Sequence, residues 1–75
     1  MTYPREVLNR LRWGEGGLDA VVVTYVHRGA PDDLAFVNGE DIEELGRSFF
    51  KVGEGQIPYH RIVRIERKGE VVFQA

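Results

Sequence analysis

Only two histidines occur in this 75-residue chain, and each is followed at once by an arginine: VHRG at Val26–Gly29 and YHRI at Tyr59–Ile62. Arginine offers a planar fork of donors that suits phosphate oxygens. Protonated histidine adds one charge-assisted donor, and neutral histidine gives or accepts a proton. Two such pairs on neighbouring strands would flank one phosphate. Adjacent residues on a strand point to opposite faces, however, so a His-Arg pair converges on one ligand only where a turn or bulge intervenes. Otherwise His27 and His60 are strand residues bonded to backbone or facing water, with Arg28 and Arg61 in surface ion pairs. Histidine participation would tighten anion binding as pH falls through about 6.5, the ordinary imidazole value.

Aromatic residues accompany both pairs. A ring exposed beside a phosphate site can stack on a nucleobase, worth about 1–3 kcal/mol per base. Tyr59 is the best candidate, because Pro58 fixes the preceding backbone and Tyr59 leads directly into His60. Trp13 is expected in the core, closing a first helix onto the sheet.

Other chemistries find less support. With no cysteine there is no disulfide, thiol nucleophile or thiolate metal site. The single serine, Ser48, has no activating partner nearby in sequence. Carboxylates from Glu40 to Glu44 would fan around a helix axis with no histidine among them, which argues against a metal. The glycines at 14–17 and 53–55 lack the strand and helix context of a phosphate-cradling loop and read as flexible connections. No cofactor is expected.

The elements that must position the His-Arg pairs can be read from periodicity. PREVLNRLRW sets Val7, Leu8 and Leu11 on one stripe of a short helix, with Pro4 in its first turn and Thr2 as a cap. LDAVVVTYVHRG is β-branched and closes at Gly29, Ala30 and Pro31, predicting a strand with Val21, Val23, Tyr25 and His27 on one face. LAFVN returns after the APDD turn. In NGEDIEELGRSFF, Ile42, Leu45 and Phe49 at i, i+3 and i+7, with acids first and Arg47 and Lys51 last, predict a second helix. HRIVRIERKGEVVFQ reads as two strands around Lys68-Gly69, although the three-residue spacing of Ile62 and Ile65 demands a bulge or two covered faces. The expected architecture is α+β: one domain over residues 1–75, a small antiparallel sheet of about four strands, and two helices packed on it.

Size and charge bound the function. A chain this short buries little more than about 60% of its unfolded surface, so any site is a shallow groove rather than a deep cavity. The net charge of −2 hides segregation: residues 32–46 hold six acids and no base, leaving ten basic residues against the remaining six acids, with Arg61, Arg64, Arg67 and Lys68 close together. No stretch approaches the ~18 apolar residues of a membrane span and no signal peptide is evident, so no membrane partner and a cytoplasmic location are expected.

The succession VLNRLRW, VVVTYVHRGAPDD, NGEDI, IPYHRIVRI and GEVVF resembles a family of short, mostly archaeal, uncharacterised proteins, whose domain also occurs as a module in larger eukaryotic ones. That family has been proposed to be an RNA cyclic-group end-recognition domain, in part because the module is found fused to RNA-end-processing phosphodiesterases. The resemblance places emphasis on Arg10 and Trp13, on His27, Arg28 and Gly29, and on Pro58, Tyr59, His60 and Arg61. Departures are Gly14, where an acid is expected, and Phe73, where tryptophan is commoner. It implies a non-catalytic domain binding single-stranded RNA ends through a terminal phosphate, 2′,3′-cyclic in the family's proposed role, with RNA-processing proteins as further partners. The site residues would be His27, Arg28, Tyr59, His60, Arg61 and Arg10. Two alternatives stand beside it: a small phosphodiesterase or ribonuclease with one histidine as base and the other as acid, and a protein-interaction module docking through its acidic segment.

Overall fold

The structure, a computed structural model, describes residues 3–14 and 16–75. One helix, α1 (Pro4–Trp13), precedes seven strands: β1 (Val21–Val26), β2 (Leu34–Asn38), β3 (Ile42–Leu45), β4 (Phe49–Val52), β5 (Gly55–Pro58), β6 (Ile62–Arg67) and β7 (Glu70–Gln74). They form two antiparallel sheets, one four-stranded in the order β2-β1-β6-β7 and one three-stranded in the order β3-β4-β5. The expected pair of helices on a single four-stranded sheet is therefore corrected. After a three-residue helical turn at Gly39–Asp41, residues 42–52 supply two strands of a second sheet in place of the expected helix.

A bulge explains the misleading period. Ile42 pairs with Val52 but Glu44 with the adjacent Lys51, so Glu43 is an extra residue in β3. The bulge restores Leu45 to the inward side three residues after Ile42, a spacing that in an unbroken chain signals a helix. Ile42 is buried and Leu45 packs against the core. The same device answers the Ile62/Ile65 question. Thr24 faces Arg64 while Tyr25 faces Ile62, which leaves Val63 as the extra residue and lets both isoleucines, 3% and 0% exposed, enter the core.

The core joins Val7 and Leu8 of α1 to Val21, Val23, Ile42, Phe50, Tyr59, Ile62 and Ile65, so the helix seals the junction of the two sheets. Trp13 is not part of it. At two positions past Leu11 it lies about 200° round the helix from that stripe, and it is 84% exposed. Tyr3 occupies the N-cap position with no side-chain cap bond, while Thr2 lies outside the described residues. Lys68 and Gly69, at φ 52° and 81°, form the two-residue β6–β7 turn, matching the left-handed pair that tight hairpins need. Gly53 at φ 57° opens the equally short β4–β5 turn, so residues 53–55 belong to a hairpin rather than a flexible connection.

Candidate nucleic-acid interface

The register of β1 against β6 brings the two His-Arg pairs together. The strands are antiparallel and their last pair is Tyr25 with Ile62, so the residues after Tyr25 run alongside those before Ile62. Val26 and Arg28 then share a groove of about 340 Å³ with His60 and Arg61. The Val63 bulge sets this phase: without it Tyr25 would face Val63, and the basic turn would sit one residue further along.

Both sides of the groove are held by backbone. On the β1 side, Asp33 accepts from the His27 N–H at 2.7 Å through its carbonyl and from the Gly29 N–H at 3.4 Å through its carboxylate, closing the loop that presents Arg28. Asp32 and Asp33 adopt φ of 58° and 56°, which short polar side chains tolerate better than most. On the β6 side, His60 and Arg61 lie in a tight helical turn, Tyr59–Arg61, rather than in a regular strand, so consecutive side chains face the same groove. That turn is anchored by Tyr59. Its N–H donates to the Ser48 carbonyl at 3.2 Å, and its hydroxyl donates to the Gly46 carbonyl at 2.8 Å. Arg5 Nε donates to the same Gly46 oxygen at 3.2 Å, tying α1 to the β3–β4 turn.

Tyr59 does not offer a ring face to a base. It is 7% exposed and packs on Phe50 with centroids 5.7 Å apart. Burial pushes its phenol above the ordinary value, an effect partly offset by the neighbouring Arg5 guanidinium and, more weakly, by Arg12. Its place in the site is to hold His60 and Arg61.

The remaining candidates divide. His27 stands edge-on to Tyr25 at 6.2 Å and lines a second groove of about 420 Å³, together with Phe36, Gln56 and Arg61. The two histidines thus occupy different grooves, with Arg61 common to both. Arg10 lines a third depression with Val7, Leu11, Val72, Phe73 and Gln74, apart from either pair. Of the basic run Arg61, Arg64, Arg67 and Lys68, Arg64 meets Glu66 at 3.3 Å, and Arg61 alone lines the groove.

Sequence reasoning missed Arg5, Arg47 and Ser48, which line a groove of about 390 Å³ on the other side of His60. No local motif marks Arg5 or Arg47. For Arg5 the available signal was that arginines outnumber acids in its helix, whereas Arg47 follows a run of four acids that hides it. Among the described residues, no carboxylate lines any of the three grooves that share His60 or Arg61. Among the described residues, no carboxylate lies within ion-pair distance of Arg28, Arg47 or Arg61, and no group of three potential metal ligands is found. No helix among the described residues is long and apolar enough to cross a membrane.

Fold and grooves together define a small, β-rich domain with basic side chains lining grooves beside the Tyr59–Arg61 crossing between its two sheets. The chain matches the MJ1316 RNA cyclic group end recognition domain over residues 1–74 and belongs to that family. It is 44% identical over 73 residues to a UPF0248 protein of Thermococcus kodakarensis, covering 93% of this chain and 88% of the relative. A UPF0248 protein of Thermococcus onnurineus is 41% identical over 73 residues (93% and 82%), and one of Methanococcus vannielii 34% over 73 residues (93% and 88%). No solved structure matches the chain.

Proposed function

We propose that this protein is a non-catalytic RNA-binding domain that holds the terminal phosphate of an RNA end, with Arg28, His60 and Arg61 as the phosphate ligands. The observation that carries this reading is their convergence: three donors from segments more than thirty residues apart share one carboxylate-free groove. The family's description favours a cyclic group as the terminal ester. On the far side of Arg61, Tyr25, Phe36 and the Gln56 amide offer the terminal nucleobase two rings and a polar edge. Phe36 is 64% exposed, so its face is open to stacking.

Cleavage with one histidine as base and the other as acid would need both imidazoles on one phosphate, whereas His27 and His60 line different grooves, which favours binding over that mechanism. The phosphate contacts supply affinity without reading sequence. Fluorescence anisotropy of one short labelled RNA ending in a 2′,3′-cyclic phosphate, a 3′-phosphate or a 3′-hydroxyl tests the reading. The cyclic end should bind best, and Arg61→Ala should remove that preference. Equal, weak binding of all three ends by the wild-type protein would overturn it. With two or three phosphates neutralised, log K should fall with log salt at a slope of roughly −1.5 to −2, taking about 0.7 per phosphate on a single strand.

A further inference from the structure

The groove lined by Arg5, Arg47, Ser48 and His60 has no part in holding the terminal phosphate, yet it has the composition of an anion site. Two guanidiniums, a hydroxyl and an imidazole line it, and no carboxylate does among the described residues. It is also a neighbour of the terminal-phosphate groove, since the His60 side chain is a wall of both. Its parts are held in place before any ligand arrives. The Gly46 carbonyl accepts from both Arg5 and the Tyr59 hydroxyl, and the Ser48 carbonyl accepts the Tyr59 N–H, so the turn carrying Arg47 and Ser48 is fastened to α1 and to the turn carrying His60. A turn whose backbone is already ordered costs less to organise on binding than a mobile one.

We infer that this groove is a second phosphate subsite, which takes the phosphodiester immediately 5′ of the terminal nucleotide. The inference rests on the terminal-phosphate reading above. The strand then runs past three stations in a fixed direction: terminal base beside Tyr25 and Phe36, terminal phosphate on Arg28, His60 and Arg61, and preceding phosphodiester on Arg47, Arg5 and Ser48. Tyr3 and Pro4 border this last groove, and Tyr3 is 56% exposed, giving the penultimate ribose or base an apolar surface. The ligand class is accordingly an RNA end of at least two nucleotides, and a mononucleotide fills only part of the site.

Calorimetry with three probes tests this: uridine 2′,3′-cyclic phosphate, the uridine dinucleotide with the same cyclic end, and that dinucleotide with an uncharged methylphosphonate linkage. Wild-type protein should bind the charged dinucleotide about tenfold more tightly than the mononucleotide, the worth of one charge-assisted contact. The methylphosphonate should return affinity to the mononucleotide level. Arg47 is exposed and has no ion pair among the described residues, so Arg47→Ala should fold normally, bind the mononucleotide as wild type does, and lose the dinucleotide preference. A mononucleotide that binds with no gain for the dinucleotide would overturn the second subsite alone, as would a gain that survives both Arg47→Ala and the neutral linkage. Failure of wild type to bind any probe would overturn the terminal-phosphate reading and the second subsite with it.

Discussion

The chain passes between its sheets twice, and the two crossings share a backbone. Asn38 to Ile42 leads from β2 to β3, and Pro58 to Ile62 leads from β5 to β6, each through a three-residue helical turn. The flanking angles agree closely: Asn38 and Pro58 have φ/ψ of −78°/139° and −64°/139°, and Ile42 and Ile62 have −75°/117° and −68°/128°. Both isoleucines enter the core, both are followed by a bulged residue, Glu43 or Val63, and both have an inward apolar partner three positions on, Leu45 or Ile65. The side chains differ. The first crossing is Gly-Glu-Asp, and Glu40 lines a shallow depression with Asp19 and Arg12; the second is Tyr-His-Arg, and its bases line grooves with Arg28, Arg5 and Arg47. One backbone device thus carries acids in one crossing and, in the other, the bases proposed to hold a phosphate, and the difference lies in what stands opposite. The second crossing faces the end of β1 with Arg28, and the first packs on the segment before β1.

The first residue of each turn gives the largest test of that comparison. Tyr59 fills the core and anchors its turn, so Tyr59→Ala should cost about 3–5 kcal/mol in urea unfolding, as truncation of a buried ring does, and should abolish RNA binding. Gly39 occupies the equivalent place for the opposite reason: a Cβ there would lie 2.5 Å from the Leu18 carbonyl oxygen and 2.7 Å from the Val21 Cβ. Gly39→Ala should destabilise by about 1–3 kcal/mol, the range for overpacking, while leaving the folded fraction's RNA affinity unchanged. If the glycine variant lost RNA affinity selectively, the two crossings would not be functionally separate.

Charge separates them next. Arg61→Ala and Arg28→Ala should each weaken binding of a cyclic-phosphate RNA about tenfold or more, with stability changed by no more than about 0.5 kcal/mol. The Glu40→Gln, Asp41→Asn double variant of the acidic crossing should bind within about twofold of wild type when measured in parallel at physiological salt, where screening acts over about 8 Å. A large gain in affinity there would show that the acidic turn opposes RNA at close range.

The smallest effect concerns the Tyr59 phenol. Its folded-state pKa is raised by burial above the ordinary value of 10.0, so the folded chain holds this proton more tightly than the unfolded one. The corresponding stability is fully present below the ordinary phenol value and is lost as pH rises through the folded value. Urea midpoints measured from pH 8 upward should therefore fall above about pH 10. Tyr59→Phe should lack that component of the fall while starting lower by about 1 kcal/mol, for the lost bond to Gly46. Identical pH profiles for the two proteins would mean the phenol is not held in a desolvated site.

Much of this was written locally in the chain. Helix α1, strands β1 and β2, and the Lys68-Gly69 hairpin follow from stripe, β-branching and turn residues, because those signals are short in range and compete with nothing. The segment from Gly39 to Phe50 was misread because a bulged strand and a helix can both put apolar side chains three residues apart, and the charges that would suit a helix dipole suit a solvent-facing strand equally well. The His-Arg pairs point to anion chemistry from residue type alone, and the proposal above rests on where the fold places them. Trp13 and Tyr59 exchanged the roles composition assigns them, the first exposed and the second buried, because ring size does not say which side of an element faces the core.

The sequence alone established the donors, the absence of thiol chemistry, and the membership of a family whose motifs lie at Arg10–Trp13, His27–Gly29 and Pro58–Arg61. Only the tertiary structure decided which of those donors meet. Antiparallel register, shifted by the Val63 bulge, brings Arg28 to His60 and Arg61, leaves His27 in the adjoining groove and Arg10 in another, and recruits Arg5 and Arg47, which no motif names. Register and bulge position are set by which apolar residues of both strands enter a shared core, and that is a property of the packed chain rather than of any segment within it.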